Sequence, residues 1–421
     1  MDYLPRVVDG ELKDMVGGLP AVAVEGPKGV GKTATAARLA RTTIPLDDPG
    51  QRQLLELDPG RLRDAPAPIL IDEWQLLPSS WDMVRRAVDD GHGPYILTGS
   101  ATPRARVHSG AGRIVRLRMR PMGLDERGVT EPTVSFAELV DDGVATVEGR
   151  SDFNLNDYAE EVVRSGFPGM RQLSGRRLVQ ALDGYLARVV EHDFAELGHV
   201  VRRPEALRSW LTAFAAATAS TASYETILNA ATPGIAEKPT RQATIAYRDT
   251  LARLWILDQL PAWVGSRNHL ASLTQAPKHY LADPALAARL LGVGAKALVA
   301  EPQAQKFIAR DGTLLGSLFE HLVALTIRVH AEASGMRVLH LRTKGGEHEV
   351  DLIVERDDGR VLAIEVKLGP IPSDRDVRHL RWLREKLDDD LVDAVVITTG
   401  PLAYRRPQDG IAVVPLALLG P

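Results

Sequence analysis

The chain has 421 residues, which at roughly 150 residues per domain suggests about three domains. Lys+Arg 51 against Asp+Glu 55 leaves a formal net charge of -4, so the whole molecule is not a polycation made to coat nucleic acid, and any such contact must come from local patches. Zero cysteines exclude disulfides, thiolate metal sites and a cysteine nucleophile, and no stretch approaches about 18 uninterrupted apolar residues, so the expectation is a cytoplasmic protein with no membrane anchor.

From about 20 to 120, short apolar runs at Ala21–Val24, Ile69–Ile71, Tyr95–Leu97 and Ile114–Leu117 alternate with polar helical stretches. That is the α/β pattern of parallel strands buried on both faces. The first run leads into Gly26-Pro27-Lys28-Gly29-Val30-Gly31-Lys32-Thr33, which fits the phosphate-loop pattern G-x-x-x-x-G-K-[ST] at every fixed position and opens a helix-forming run, Ala34–Arg41. The glycines let backbone N–H groups converge on phosphate oxygens. Lys32 reaches the β- and γ-phosphates of ATP, and the Thr33 hydroxyl takes a place on Mg²⁺.

The second run ends in Asp72-Glu73. Acids cannot line a strand buried on both faces, but at its C-terminal end they emerge where ligands bind. Asp72 is then a Mg²⁺ ligand, direct or through water, and Glu73 the group that orients the attacking water. The third run ends in Thr98-Gly99-Ser100, where a hydroxyl, Thr98 first, is placed to sense the γ-phosphate. Six arginines (104, 106, 113, 116, 118, 120) follow with no acid among them. Arg113, after the flexible Ala111-Gly112, is the candidate arginine finger in cis or in trans; a solvated basic face and a DNA-facing patch are the alternatives.

From about 155 to 295 the chain is helical and alanine-rich, with Pro204–Thr218, Ser223–Ala230 and Pro239–Trp255 reading as three helices followed by extended Ile256–Val264 and Lys278–Ala282. After about 310 comes a helix (Leu314–Glu332), a strand pair (Val350–Glu355 and Val361–Lys367), a helix (Asp374–Leu387) and two apolar strands (Ala394–Thr398 and Ile411–Pro415). A hairpin loop Asp357-Asp358-Gly359 centres the pairing on residue 358 and sets Asp351 opposite Glu365. Cross-strand Cβ atoms lie roughly 4.5–5.5 Å apart, close enough for one shared divalent ion, with Lys367 on the same face. Glu320 leans inward from the preceding helix. Catalysis by a metal at Glu320, Asp351 and Glu365 with Lys367 beside it is one reading; a structural ion network, with Glu349 neutralising Lys367, is the other.

The order of motifs resembles a bacterial and archaeal AAA-like ATPase family with a P-loop core, a helical and winged-helix middle and a C-terminal domain similar to the restriction-endonuclease PD-(D/E)xK fold. The likeness is carried by GPKGVGKT (26–33), LDDPGQRQLLELDP (46–59), ILIDEWQ (69–75), LTGSATP (97–103), AGR (111–113), SGFPG (165–169), KHYLADPALAARLL (278–291), LFEHLVA (318–324), HEVDLIVE (348–355) and LAIEVKLG (362–369). It implies an ATPase core at 1–150, a helical lid at 151–203, a winged-helix-like domain at 204–300 and a nuclease-like domain at 301–421. It also implies ATP, Mg²⁺ and contacts with a protein partner or with further copies of the chain. In the nuclease superfamily the matching metal residues are Glu320, Asp351 and Glu365, with Lys367 catalytic; Val350 stands where the name pattern has proline. The expectation is an ATP-dependent switch or motor coupled to a nuclease-like domain that engages DNA, the alternative a nucleotide-gated interaction protein whose C-terminal fold only docks a partner. The third middle helix, with Lys238, Arg241 and Arg248 and the acids Glu237 and Asp249, suits a major groove or a protein contact equally.

Overall fold

Short apolar runs free of charge until their last residue become the centre of a parallel sheet in the computed structural model, which describes residues 3–100, 110–141, 146–198, 201, 203–231, 240–265, 275–300, 313–343 and 345–421. The strands are β1 (Ala21–Glu25), β2 (Thr42–Pro45), β3 (Ile69–Asp72), β4 (Tyr95–Gly99) and β5 (Val115–Arg118), in spatial order β2-β3-β4-β1-β5. All neighbours pair in parallel. β1, β3 and β4 are buried along their whole length, so their polar residues can sit only at the carboxyl ends, and all three carboxyl ends share one edge. The edge strand β2 is missing from the sequence-based pattern because its Thr42-Thr43-Ile44-Pro45 is half exposed and carries no apolar run.

One face of this sheet packs on Trp74, Trp81, Leu55 and Leu62. The other face joins a core that continues through the middle helices into the C-terminal helix Thr313–Ala333. By length and composition Leu314–Ala333 could cross a membrane, but 72% of its window is buried inside the fold, where it packs against the strand that follows it.

The middle of the chain folds as helices Leu155–Arg164, Gly175–Arg188, Pro204–Ala216, Tyr224–Ala230 and Arg241–Arg253, then Pro284–Leu290 and Ala295–Val299. Between the last two groups lie two extended segments joined by antiparallel bridges, Leu257 to Leu281 and Leu260 to Lys278. Three helices and an extended arm therefore follow the expected order; Glu237, Lys238 and Pro239 lie outside the described residues. Arg248 covers the Tyr224 ring and pairs with Asp249.

After two short strands, β6 (Val134–Ser135) and β7 (Gly149–Arg150), the C-terminal strands are β8 (Arg337–Arg342), β9 (Glu349–Glu355), β10 (Val361–Lys367), β11 (Leu391–Thr398), β12 (Leu402–Arg405) and β13 (Ala412–Pro415). Gly359, at φ +86, turns β9 into β10, and the register Leu352 to Ile364 and Val354 to Leu362 is the one the turn predicts, with Asp351 next in line opposite Glu365. Val134–Ser135 and Gly149–Arg150, placed with the ATPase core by their position in the chain, pair with C-terminal strands. Leu402 and Ala403 of β12 take Arg150 and Gly149 as partners, and Leu419–Gly420 takes Val134–Ser135.

Candidate nucleotide cleft and an acidic centre

The loop after β1 passes against the backbone after β5. Gly26 adopts φ +159, and a Cβ there would lie 2.1 Å from the Met119 carbonyl oxygen, so no other residue fits. Gly29 and Gly31 are left-handed at φ +79 and +106, which turns the chain into the helix Lys32–Ala37. Beneath the loop, the buried Arg6 donates to the Val30 carbonyl (3.0 Å) and the Arg120 carbonyl (2.7 Å) and pairs with Glu126 (3.1 Å). Arg6 precedes the first helix in an unpatterned stretch, and nothing local in the sequence marks it as a brace.

Lys32 is buried, and its Nζ donates to the Gly26 and Pro27 carbonyls at 2.9 Å each, curled under the loop it would leave for a phosphate. Burial pushes its ammonium down to about 8, against the pull of Glu73 and Asp72. Thr33 Oγ1 donates to Asp72 Oδ1 at 2.7 Å, and Thr98 donates to the same oxygen. A hydroxyl from the start of the helix Lys32–Ala37 and a carboxylate from the end of β3 are hard oxygen donors of the kind Mg²⁺ takes, so Thr33 and Asp72 fit the expected ion. Thr98 stands behind Asp72 and orients it, a different placement from the phosphate contact expected of it.

Glu73 sits at φ 55, an uncommon conformation for a non-glycine residue and one that clusters at functional sites. Its carboxylate accepts from Gln75 and lies 3.5 Å from the Ser100 hydroxyl. Gly99 beside it leaves room for Trp74 and Gln75, which a Cβ would meet at 2.6 and 2.9 Å. The cleft, about 700 Å³, is lined by Lys28, Gly29, Gly31, Lys32, Thr33, Glu73 and Ser100 on the sheet side. Arg188, Asp193 and Glu196 close it from the helical side. Lys28 spans the two, 2.7 Å from Asp193 and 2.8 Å from Glu196. Asp193 ends a π-helical turn, Val189–Asp193, of a kind often found at functional sites.

The arginine segment divides. Arg104 and Arg106 lie outside the described residues. Arg113, the candidate finger, is exposed, pairs with Asp89 at 2.8 Å and does not line the cleft. Arg116 reaches Glu25 at 3.6 Å. Arg118 and Arg120 turn inward onto Asp258, at 2.9 and 2.7 Å, where Arg328 joins them at 2.8 Å; these two form no solvated or DNA-facing surface.

The second cluster gathers Glu320, Glu349, Asp351, Glu365 and Lys367, with a residue that spacing did not single out. Lys278, 1% exposed, enters from the extended arm and sets its Nζ 3.0 Å from Glu320, 2.9 Å from Asp351 and 3.6 Å from Glu349. Tyr280 donates to Glu320 at 2.6 Å. Lys367 pairs with Glu365 at 2.7 Å and lies 4.0 Å from Asp351, so the expected Glu349 to Lys367 pair does not form. Asp351 Oδ2 accepts the Val366 N–H at 2.9 Å. Burial opposes ionisation of Asp351, yet Lys278 and Lys367 outweigh it and hold the carboxyl well below the usual range. Burial and then the Asp351 charge push Glu320 up to about 7, and the same two causes raise Glu365. Expected as metal ligands, Glu320 and Asp351 hold an ammonium in this structure, and among the described residues no group of three or more His, Asp or Glu side chains is arranged to hold a metal ion.

Comparison with known proteins agrees with the first site. Residues 19–127 match the AAA domain family. Residues 155–297 and 315–419 match two domains of unknown function, DUF8612 and DUF4143. Among solved structures the chain is similar to the Walker-type ATPase of Pyrococcus abyssi, at 16% identity and a TM-score of 0.40, over 69% of this chain and 96% of that one. No curated protein matches. The AAA segment begins just before β1 and ends past Glu126, so it contains the P-loop, Asp72 and Glu73 within one unit, and the bracing Arg6 precedes it.

Proposed function

We propose that the chain binds ATP in this cleft, hydrolyses it, and passes the change to its middle and C-terminal parts as a switch. The observation that carries the reading is the convergence of Lys32, Thr33, Asp72 and Glu73 at one edge of a parallel sheet, within a segment that matches the AAA domain. Lys32 leaves the Gly26 and Pro27 carbonyls for the β- and γ-phosphates. Bound Mg²⁺ supplies charge neutralisation of the phosphates, and Thr33 and Asp72 are the residues that would hold it. Glu73, fixed by Gln75 and Ser100, orients a water toward the γ-phosphorus and takes its proton. Lys28 and Arg188 face the same space and draw the helical side toward the phosphates.

For the C-terminal part we propose a docking role for a protein partner, a second copy or DNA, in place of cleavage, because an ammonium stands between Glu320 and Asp351. The ATPase assignment is tested by two variants. Lys32→Ala abolishes turnover, and Glu73→Gln retains nucleotide binding while losing hydrolysis by roughly a hundredfold or more. Undiminished turnover in Lys32→Ala would sink the assignment.

A further inference from the structure

Lys278 lies in the extended arm, not in the C-terminal sheet whose acids it meets. Its main chain is fixed by a reciprocal pair with Leu260, both N–H to O distances being 2.9 Å. Two more contacts fasten the same arm to the C-terminal part: His340 bonds the Ala276 carbonyl at 3.1 Å, and His321 bonds the Leu281 carbonyl at 2.8 Å. The ammonium is therefore delivered by an anchored strand rather than by a mobile surface chain.

Its three N–H groups meet three carboxylates, Asp351 and Glu320 closely and Glu349 at 3.6 Å. An ion such as Mg²⁺ needs oxygen ligands at about 2.0–2.1 Å in near-octahedral order, and it cannot share that space with an ammonium. Four carboxylates packed together would repel one another without a cation. The chain supplies two, Lys278 between Glu320 and Asp351 and Lys367 on Glu365.

We propose that Lys278 is the resident cation of the C-terminal acidic centre, which closes that centre to divalent metal and makes it an ionic latch holding the arm segments 256–264 and 275–282 to the C-terminal sheet. The latch goes beyond the ATPase reading and stands or falls separately from it, since neither Lys278 nor its partners line the nucleotide cleft.

The test uses the full chain without nucleotide. Titration with Mn²⁺, followed by the electron paramagnetic resonance of the free ion, gives the same stoichiometry for the unaltered protein and for Asp351→Asn. Lys278→Met keeps the apolar stem and removes the charge; it melts several degrees lower, and Mn²⁺ then restores part of the loss through Asp351. Where Lys278→Met fails to fold, the triple variant Lys278→Met with Glu320→Gln and Asp351→Asn folds again, because the carboxylates that needed a cation are gone. The inference is overturned if the unaltered protein binds one more Mn²⁺ than Asp351→Asn, or cleaves DNA in a manner that requires Asp351. It is equally overturned if Lys278→Met melts with the unaltered protein, or if the triple variant is no more stable than the single one.

Discussion

Lys32 carries a chemical tension that can be measured. In the nucleotide-free protein its ammonium is buried against two carbonyls and its pKa is pushed down to about 8, whereas a triphosphate stabilises the charged form and raises it again. Binding above that pH must therefore take up a proton. ATP affinity is expected to hold steady up to about pH 8 and then to fall, approaching roughly tenfold per pH unit, as the free lysine loses its charge. Calorimetry in two buffers of different ionisation enthalpy reads the proton uptake directly; affinity that stays flat to about pH 9.5 would show that the lysine is not shifted. The residues of this cleft were legible in the sequence because each belongs to a short local pattern: a glycine loop after a strand, or two acids at a strand end. Gln75, two residues past Glu73, and Ser100, which the sequence offers only as a hydroxyl for the γ-phosphate, hold Glu73, a role that only the fold shows. The ion pairing of Lys278 was invisible for a stronger reason. Its partners are 42 and 73 positions away in the chain, and no spacing rule joins them.

At the scale of elements, turns predicted more than edges did. The β9 to β10 register follows from one glycine turn, so the facing of Asp351 and Glu365 could be read in advance. The short pairings Gly149–Arg150 with β12 and Val134–Ser135 with Leu419–Gly420 could not, because two-residue strands carry no periodicity. The extended arm is the element whose attachment is most open to test. Burial pushes His321 and His340 down to about 4, and each faces a carbonyl of the arm, so each stays neutral as a donor over most of the acid range. The unfolded chain protonates these histidines from about pH 6.5 and the folded chain only near 4, so the unfolded state binds more protons in that window. Stability is then present above about pH 6.5 and falls as pH drops toward 4, by up to about 3 kcal/mol for each buried histidine. Urea unfolding at a series of pH values shows the loss, and His321→Asn flattens part of it; an unchanged slope in that variant would remove His321 from the account.

Across the whole molecule, one acid ties three parts of the chain together. Asp258, in the arm, is 5% exposed and receives Arg118 from the end of β5, Arg120 from just beyond it and Arg328 from the C-terminal helix. Burial opposes its ionisation, but the three guanidiniums outweigh burial and hold the carboxyl far below its ordinary range. Contacts continue from this point in both directions. Through the Arg120 carbonyl they reach Arg6 and the Val30 carbonyl of the P-loop. Through the Asp258 N–H, which donates to the Tyr280 carbonyl at 2.9 Å, they reach the Tyr280 hydroxyl on Glu320 and so the acidic centre. The path is one of contacts; what makes it testable is the charge at its middle. Asp258→Asn keeps the shape and removes the anion from the buried Arg328 and Arg120 and the half-buried Arg118, of which Arg120 keeps Glu332, and is expected to cost about 3–5 kcal/mol because an unpaired buried charge is far more costly than a paired one. If charge rather than packing is the cause, adding Arg328→Met should recover part of that loss, since one of the uncompensated cations is then removed. Denaturant midpoints of the unaltered chain, both single variants and the double variant complete the cycle. Strict additivity would mean that Asp258 and Arg328 do not act together.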